Sequence, residues 1–433
     1  MKLKIYDDSQ NYTATIINLP VKQKVDGLDN LVKVTVFGND VLISKDSDPN
    51  DLYIFFPAES KLSLEFCKAN NLFRHSTLNA DNTKKGFFED HGRVKALKMR
   101  GVISTGFIIP LSSLSFLNVD LNINVGDEFN QINGVEICKK YVNSITIATN
   151  NNASKKSNQD KLAVRFDKLV PNQFKLHGST AHLAKNLHAL KFDNIISITN
   201  KMHGTSAVFS NVLTKRKLSW IERLTKKLGI KIIETEYGNI YSSRTVIKNR
   251  YINKDRKTGY YGKDDIWSVV NKEVKDLIEP GITLYGEIVG YLPSGSMIQK
   301  GYDYGLQYGN HEFRVYRITY TRPDGNVIEY SWNQIKDYCA KHNLKYVQEF
   351  YYGKLSNWPD TNGSVEEFLN NLSASYYMEK DDPDCKNKVP FEGVVVRVDN
   401  LDSFSAFKLK CKKFLKLETD DLDKGEVNLE DQN

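Results

Sequence analysis

Short β-rich runs at Asn11–Leu19, Val32–Phe37, Val41–Ile43, Leu52–Phe56 and Val102–Ile109 alternate with glycine-bearing and charged breaks through the first 140 residues. Several short strands at this spacing predict a small barrel or sandwich, not a helical domain. Further on the pattern changes. Apolar residues recur at helical spacing through Asp265–Ile278, Trp332–His342 and Val365–Leu372, between apolar runs of strand length. The expected class is α+β: a β-barrel module followed by a mixed α/β domain built on antiparallel sheets.

The two patterns are separated by residues 149–161, rich in Asn and Ser with a single apolar residue, which cannot bury a core face and read as a linker. The expected organisation is a module over 1–148, that linker, a second domain over 162–417 and an acidic flexible tail over 418–433. Composition narrows the class. Of 433 residues, 40% are hydrophobic and 26% charged, and no apolar run reaches the ~20 residues that span a bilayer. Met1 opens on Lys-Leu-Lys-Ile-Tyr without a signal-like segment, and five scattered cysteines form no CxxC pair, so an intracellular protein with reduced thiols is expected.

Charge is unevenly placed. Residues 1–150 balance 17 bases against 17 acids, residues 417–433 hold one base against seven acids, and the middle holds 42 bases against 29 acids. A basic surplus confined to one segment points to phosphate, although surface lysine alone gives the same excess. In the first module, Arg93–Pro110 sets basic residues just before an apolar strand. Lys95, Lys98 and Arg100 fit the nucleic-acid groove of an OB-type barrel, or equally the charged edges that protect a solvated strand.

The strongest chemical signal is Ile195–Phe209, where an apolar strand ends in Asn200-Lys201-Met202-His203-Gly204-Thr205-Ser206. Lys201 is a candidate nucleophile, provided that neighbouring cations or burial free its lone pair; a solvated strand end is the plainer alternative. Gly204 permits a close backbone approach, and Thr205 and Ser206 offer hydroxyls to a phosphate or ribose. Three more segments follow the same scheme: Thr283–Gly290 with Glu287, Phe391–Arg397 with Glu392, and Ala406–Lys413, where Lys408 and Lys410 share one strand face. Two lysines on one face repel each other unless an anion lies between them.

In this order the segments resemble the covalent nucleotidyltransferases, the polynucleotide ligases and mRNA capping enzymes, whose motifs run from Lys-x-(Asp/His)-Gly to Lys-x-Lys. His203 resembles the RNA-ligase form of the first motif. With the β-rich N-terminal module, the chain is similar to the RNA ligase 5 class, in which an OB module precedes an adenylyltransferase domain related to the nick-sealing RNA ligase 2 class. The resemblance covers nearly the whole chain up to about Leu417. It implies that Lys201 attacks the α-phosphate of ATP and carries AMP. It also implies that Arg244 binds ribose and phosphate, and that Glu287 lies near the ribose and a metal water. By the same resemblance Phe313 stacks on adenine, Glu392 holds Mg²⁺ or Mn²⁺, and Lys408 and Lys410 bind the α-phosphate. Asn200 stands where many relatives carry glutamate, and its carbonyl can accept the same base N–H.

The resemblance implies an ATP-dependent RNA ligase sealing 3′-OH and 5′-phosphate ends, at nicks in duplexes or hybrids; a monomer is the prior expectation. A GTP-using capping guanylyltransferase and a non-catalytic nucleic-acid-binding protein are the alternatives. His177, His182 and His188 match no zinc spacing and receive no role.

Overall fold

The computed structural model describes residues 2–120, 122–142, 168–249, 265–359, 363–375, 378–400 and 402–425. The expected linker at 149–161 and the end of the expected tail, 426–433, lie outside them.

Two antiparallel sheets form the larger, C-terminal part. One has the order Ala181–His182, Ser405–Lys410, Gly393–Val398, Ile195–Asn200, Glu349–Lys354, and only its outermost pair is parallel. The other runs Thr235–Ser242, Thr205–Lys215, Ile282–Gly290, His311–Thr321, Val327–Glu329, with Lys345–Tyr346 pairing parallel to its fourth strand. Period-two alternation gives each strand two different faces. Ile196 and Ile198, opposite Val398 and Val396, enter the core, while Ser197 and Thr199, opposite Arg397 and Val395, face a cleft.

The predicted helices are present at Ile266–Val274, Trp332–Lys341 and Val365–Ser373, each started by a side-chain cap from Asp265, Ser331 or Ser364. Three further α-helices of the described residues escaped the periodicity: Leu64–Ala69, Trp220–Lys227 and Lys412–Asp423.

The N-terminal part is β-rich, as expected. Its central sheet orders Gly106–Pro110, Leu52–Pro57, Ala14–Asn18 and Glu128–Phe129, with a three-stranded sheet of Gln23–Lys24, Leu31–Val36 and Asn39–Ser44 beside it. Ile54 and Phe56 enter one core, Tyr53 and Phe55 the other, so the central strand is buried on both sides. Among the described residues the ladders remain separate sheets, and no pairing closes them into a barrel.

The expectation of a frayed tail from Glu418 is corrected. The helix from Lys412 runs to Asp423, with Phe414 and Thr419 buried. Asp420 and Asp421 pair locally with Lys416 and Lys424, whereas Asp423 finds its partners far away in sequence. Arg93 makes a bidentate contact with Glu59, 2.7 Å from each carboxylate oxygen, and donates to Asp423 at 2.8 Å. The Thr419 hydroxyl donates to Glu59 at 2.7 Å and accepts the Ala96 N–H at 3.1 Å. The N-terminal module therefore grips the C-terminal helix. A second tie is Lys185, whose ammonium reaches Thr13 at 2.5 Å and Glu128 at 3.2 Å.

Candidate active site

Lys201 ends the strand Ile195–Asn200, and its backbone N–H donates to the Gly393 carbonyl at 2.9 Å. That ladder bond brings Glu392 alongside. Glu392 Oε1 lies 2.5 Å from Lys201 Nζ and 3.7 Å from Lys410 Nζ, and its Oε2 lies 3.6 Å from His203 Nδ1. Glu392 is buried. Burial alone raises a carboxyl's pKa, but Lys201, His203 and Lys410 outweigh it and hold this one below its ordinary value. Lys410 also pairs with Glu418 at 2.7 Å and lies 5.0 Å over the Phe414 ring.

The residues around Lys201 are fixed by packing. His203 stands edge-on to Tyr302 and Phe414, with ring centroids 4.8 and 4.9 Å away, and its backbone N–H donates to the Tyr304 hydroxyl at 2.6 Å. A Cβ on Gly204 would lie 2.4 Å from the Ile288 carbonyl oxygen, so only glycine lets this turn press against the strand Ile282–Gly290. Gln299 then donates to the Gly204 carbonyl at 2.7 Å.

The two sheets face each other across a cleft of about 840 Å³, counted to its open mouth. One wall presents Asn200, Lys201, Val395, Arg397 and Lys408, the other Ser206, Glu287 and Tyr316. Cross-strand register explains the second wall, because Ser206 stands directly opposite Glu287. Arg244 lines the mouth and donates to Ser179 at 3.1 Å. It also borders a second cleft, where Lys408, Lys410 and Glu418 meet Asp7, Asp8 and Lys140 of the N-terminal module.

Phe313 is not in the cleft. It is buried in the core, edge-on to Phe209 at 4.9 Å, and the aromatics that line the cleft include Tyr316, Trp332 and Phe404. Alternation sets the two apart: Phe313 and Val315 share the core face, and Tyr316, an odd number of positions on, takes the face of Glu287, while a bulge at Tyr316, where Arg317 pairs with Tyr285 and Val315 with Gly286, returns Ile318 to the core.

Several cleft residues carry open hydrogen-bonding capacity, Asn200 and Arg397 among them. Asn200, 2% exposed, has no partner for either amide atom, and Arg397, 4% exposed, has none for Nε or Nη1 while Nη2 donates to the Tyr330 carbonyl. Buried polar atoms are rarely left unsatisfied unless a ligand completes them. Arg397 was absent from the sequence reading, yet its spacing of two from Val395 on one strand was the available signal.

The remaining expected residues separate. Lys408 lines both clefts, and Lys410 two residues on lies beside Glu392. In the N-terminal module, Lys95 is committed to Glu89 at 2.9 Å and Asp423 at 3.1 Å. Lys98 and Arg100 are exposed on a hairpin turn where Arg100 adopts a left-handed φ of 45°. His182 is bridged to Lys408; burial, then Lys408, Lys185 and Lys410, push its pKa down to about 3, so it is neutral.

Among the described residues no group of three or more His, Cys, Asp or Glu side chains forms a metal cage. The donors present suit a different kind of site. Glu392 Oε2 is buried without a hydrogen bond, and a hard cation such as Mg²⁺ takes one or two carboxylates together with waters and substrate phosphates.

An RNA ligase family model matches residues 194–416, just over half of the chain and most of the residues that line the cleft, His177 and Thr180 lying before it. The protein belongs to the RNA ligase family and is an enzyme of that family. Solved structures of a Naegleria gruberi RNA ligase share its fold. A mutant apo form has a TM-score of 0.57 at 14% identity, covering 96% of this chain and 100% of that one. A mutant with ATP and Mn has a TM-score of 0.55 at 14% identity, covering 95% and 100%, and a form with PPi has 0.57 at 14%, covering 94% and 98%. Among curated proteins none matches. No helix of the described residues is long and apolar enough to cross a membrane.

Proposed function

We propose that the protein is an ATP-dependent RNA ligase that joins a 3′-OH to a 5′-phosphate through a lysyl-adenylate on Lys201. The observation that carries this reading is the buried Lys201–Glu392–Lys410 cluster at one end of a cleft with open base-reading groups. In the first transfer the neutral Lys201 nitrogen attacks the α-phosphorus, an N–P bond forms, and the P–O bond to pyrophosphate breaks. Glu392 is the nearest base for the proton that Lys201 sheds. In the second transfer an oxygen of the RNA 5′-phosphate displaces Lys201 from phosphorus. In the third the 3′-OH attacks the activated 5′-phosphate and AMP leaves.

The chain's cations do the electrostatic part of this work. Phosphoryl transfer spreads charge over the equatorial oxygens, and Lys408, Lys410 and Arg244 line the space that those oxygens would occupy. Glu392 and Glu287 would hold Mg²⁺ or Mn²⁺, which when bound neutralises phosphate charge. Tyr316 takes the stacking role expected of Phe313, and Asn200, His203 and Gly204 shape the nucleotide end of the cleft. The Naegleria structures with ATP, AMP and Mn support these ligands as a class.

The N-terminal module, read as OB-type over 1–148, would meet the nucleic acid with Lys98 and Arg100. Together with the basic domain over 162–417 it suits a nick in a duplex or hybrid, approached through phosphate contacts by a monomer. GTP belongs in the test because Asn200, with both amide atoms open, can pair with either purine.

The test is incubation with α-labelled ATP or GTP and Mg²⁺, then denaturing electrophoresis of wild type and Lys201→Ala. The expected outcome is an acid-labile label from ATP that vanishes in the variant. Labelling by GTP alone replaces the ligase reading with a capping one. No label from either nucleotide, with pre-bound AMP excluded by mass, refutes both.

A further inference from the structure

Far from the cleft, the hairpin joining Thr205–Lys215 to Thr235–Ser242 carries the helix Trp220–Lys227 on its tip. None of that helix is buried. It is held by a capping box, in which the Ser219 hydroxyl accepts the Glu222 N–H and Glu222 accepts the Ser219 N–H at 2.8 Å. A helix of two turns without core contacts is marginal by itself, so its apolar face is built to be covered by something else.

That face is large. Trp220, Ile221, Leu224, Leu228, Ile230 and Ile233 fall within fourteen residues, and each is exposed, from 52% at Leu224 to 76% at Ile233. Trp220, Leu224 and Leu228, spaced by four, form one stripe with Ile221, and Arg223 and Lys227 flank it on the helical wheel. Between Lys215 and Glu234 there are seven bases and two acids. Both acids are already paired, Glu222 with Arg216 and Glu234 with Lys226. No carboxylate among the described residues pairs with Lys215, Lys217, Arg223, Lys227 or Lys231.

We propose that this hairpin tip is a docking surface for an anionic lipid membrane, entered by the Trp220–Leu224–Leu228 stripe and held by the flanking bases. Four to eight bases on an amphipathic helix, beside exposed Trp and Leu, are what a negatively charged bilayer surface selects. RNA would use the bases and leave six apolar side chains in water. A protein groove would take the stripe but has no need of Ile230 and Ile233 beyond the helix. The tip projects from the end of a long strand ladder, the shape that reaches a flat surface. Nine residues of extended strand separate Ser206 at the cleft from Lys215, about 30 Å, so a docked enzyme keeps its cleft open.

The test is co-flotation of the full chain with phosphatidylcholine vesicles, pure or doped with phosphatidylserine, at low and physiological salt. Wild type should float only with the doped vesicles, and less at the higher salt. Trp220→Ser/Leu224→Ser and Arg223→Gln/Lys227→Gln should each lose on the order of tenfold in partitioning with unchanged melting temperature. Absence of flotation by wild type overturns the proposal, and so does flotation that neither variant weakens. It also fails if the variants lower RNA affinity or self-association while leaving vesicle binding untouched.

Discussion

Glu418 holds Lys410 at 2.7 Å, and Glu392 stands 3.7 Å from the same ammonium. The lysine expected to neutralise a phosphate is thus already shared between two carboxylates. One of them sits on the C-terminal helix that the N-terminal module grips through Arg93, Glu59 and Thr419.

On the proposed role of Lys410, Glu418 competes with nucleotide phosphate for it. In Glu418→Gln the charge is gone while the shape remains, and the KM for ATP in the adenylylation step should fall by about three- to tenfold, the scale of one ordinary hydrogen bond. An increased KM would mean that Glu418 aims the lysine instead of occupying it.

The stacking role proposed for Tyr316, where the sequence pointed to Phe313, is tested by two substitutions. Tyr316→Ala should raise the KM for ATP by roughly tenfold or more, since stacking on a base contributes about 1–3 kcal/mol. Phe313→Ala should leave that KM nearly unchanged but destabilise the fold by about 3–5 kcal/mol, read from denaturant unfolding. The opposite pairing of effects would return the stacking role to Phe313.

His182 makes stability depend on pH. Its pKa is pushed from an ordinary 6.5 down to about 3 by burial and by Lys408, Lys185 and Lys410. The unfolded chain therefore binds a proton that the folded one refuses. Stability from this group is complete above pH 6.5 and is lost as pH falls toward about 3. His182→Asn should flatten the unfolding free energy across that window, measured by urea titration at a series of pH values; an unaltered slope would remove His182 as the cause.

Arg93 is the buried centre of the grip on the C-terminal helix. Arg93→Ala leaves Glu59 buried without its bidentate partner and should cost about 3–5 kcal/mol, while Arg93→Met with Glu59→Leu should recover much of it. Thermal melting of the two variants checks this. If the single substitution melts like wild type, the contact does not hold the helix.

Local chemistry in the sequence settled much of this enzyme. The strand-ending Lys201, Gly204, the carboxylates Glu287 and Glu392, and Lys408 with Lys410 were legible because each motif is short and carries its own turn and its own charge. The helices at Ile266–Val274, Trp332–Lys341 and Val365–Ser373 were legible from periodicity and caps. What the chain could not announce depends on partners distant in sequence. That Tyr316 and not Phe313 lines the cleft depends on which face of their strand the opposite sheet approaches. Arg397 gains its open donors from the burial that the opposite sheet imposes. Lys95 is withdrawn from the proposed nucleic-acid surface, and the acidic tail becomes a docked helix, through ion pairs across more than 300 positions. Spacing along a chain encodes what a residue meets within a few turns or strands; a counter-ion or a cavity wall is decided only when separate segments close on one another.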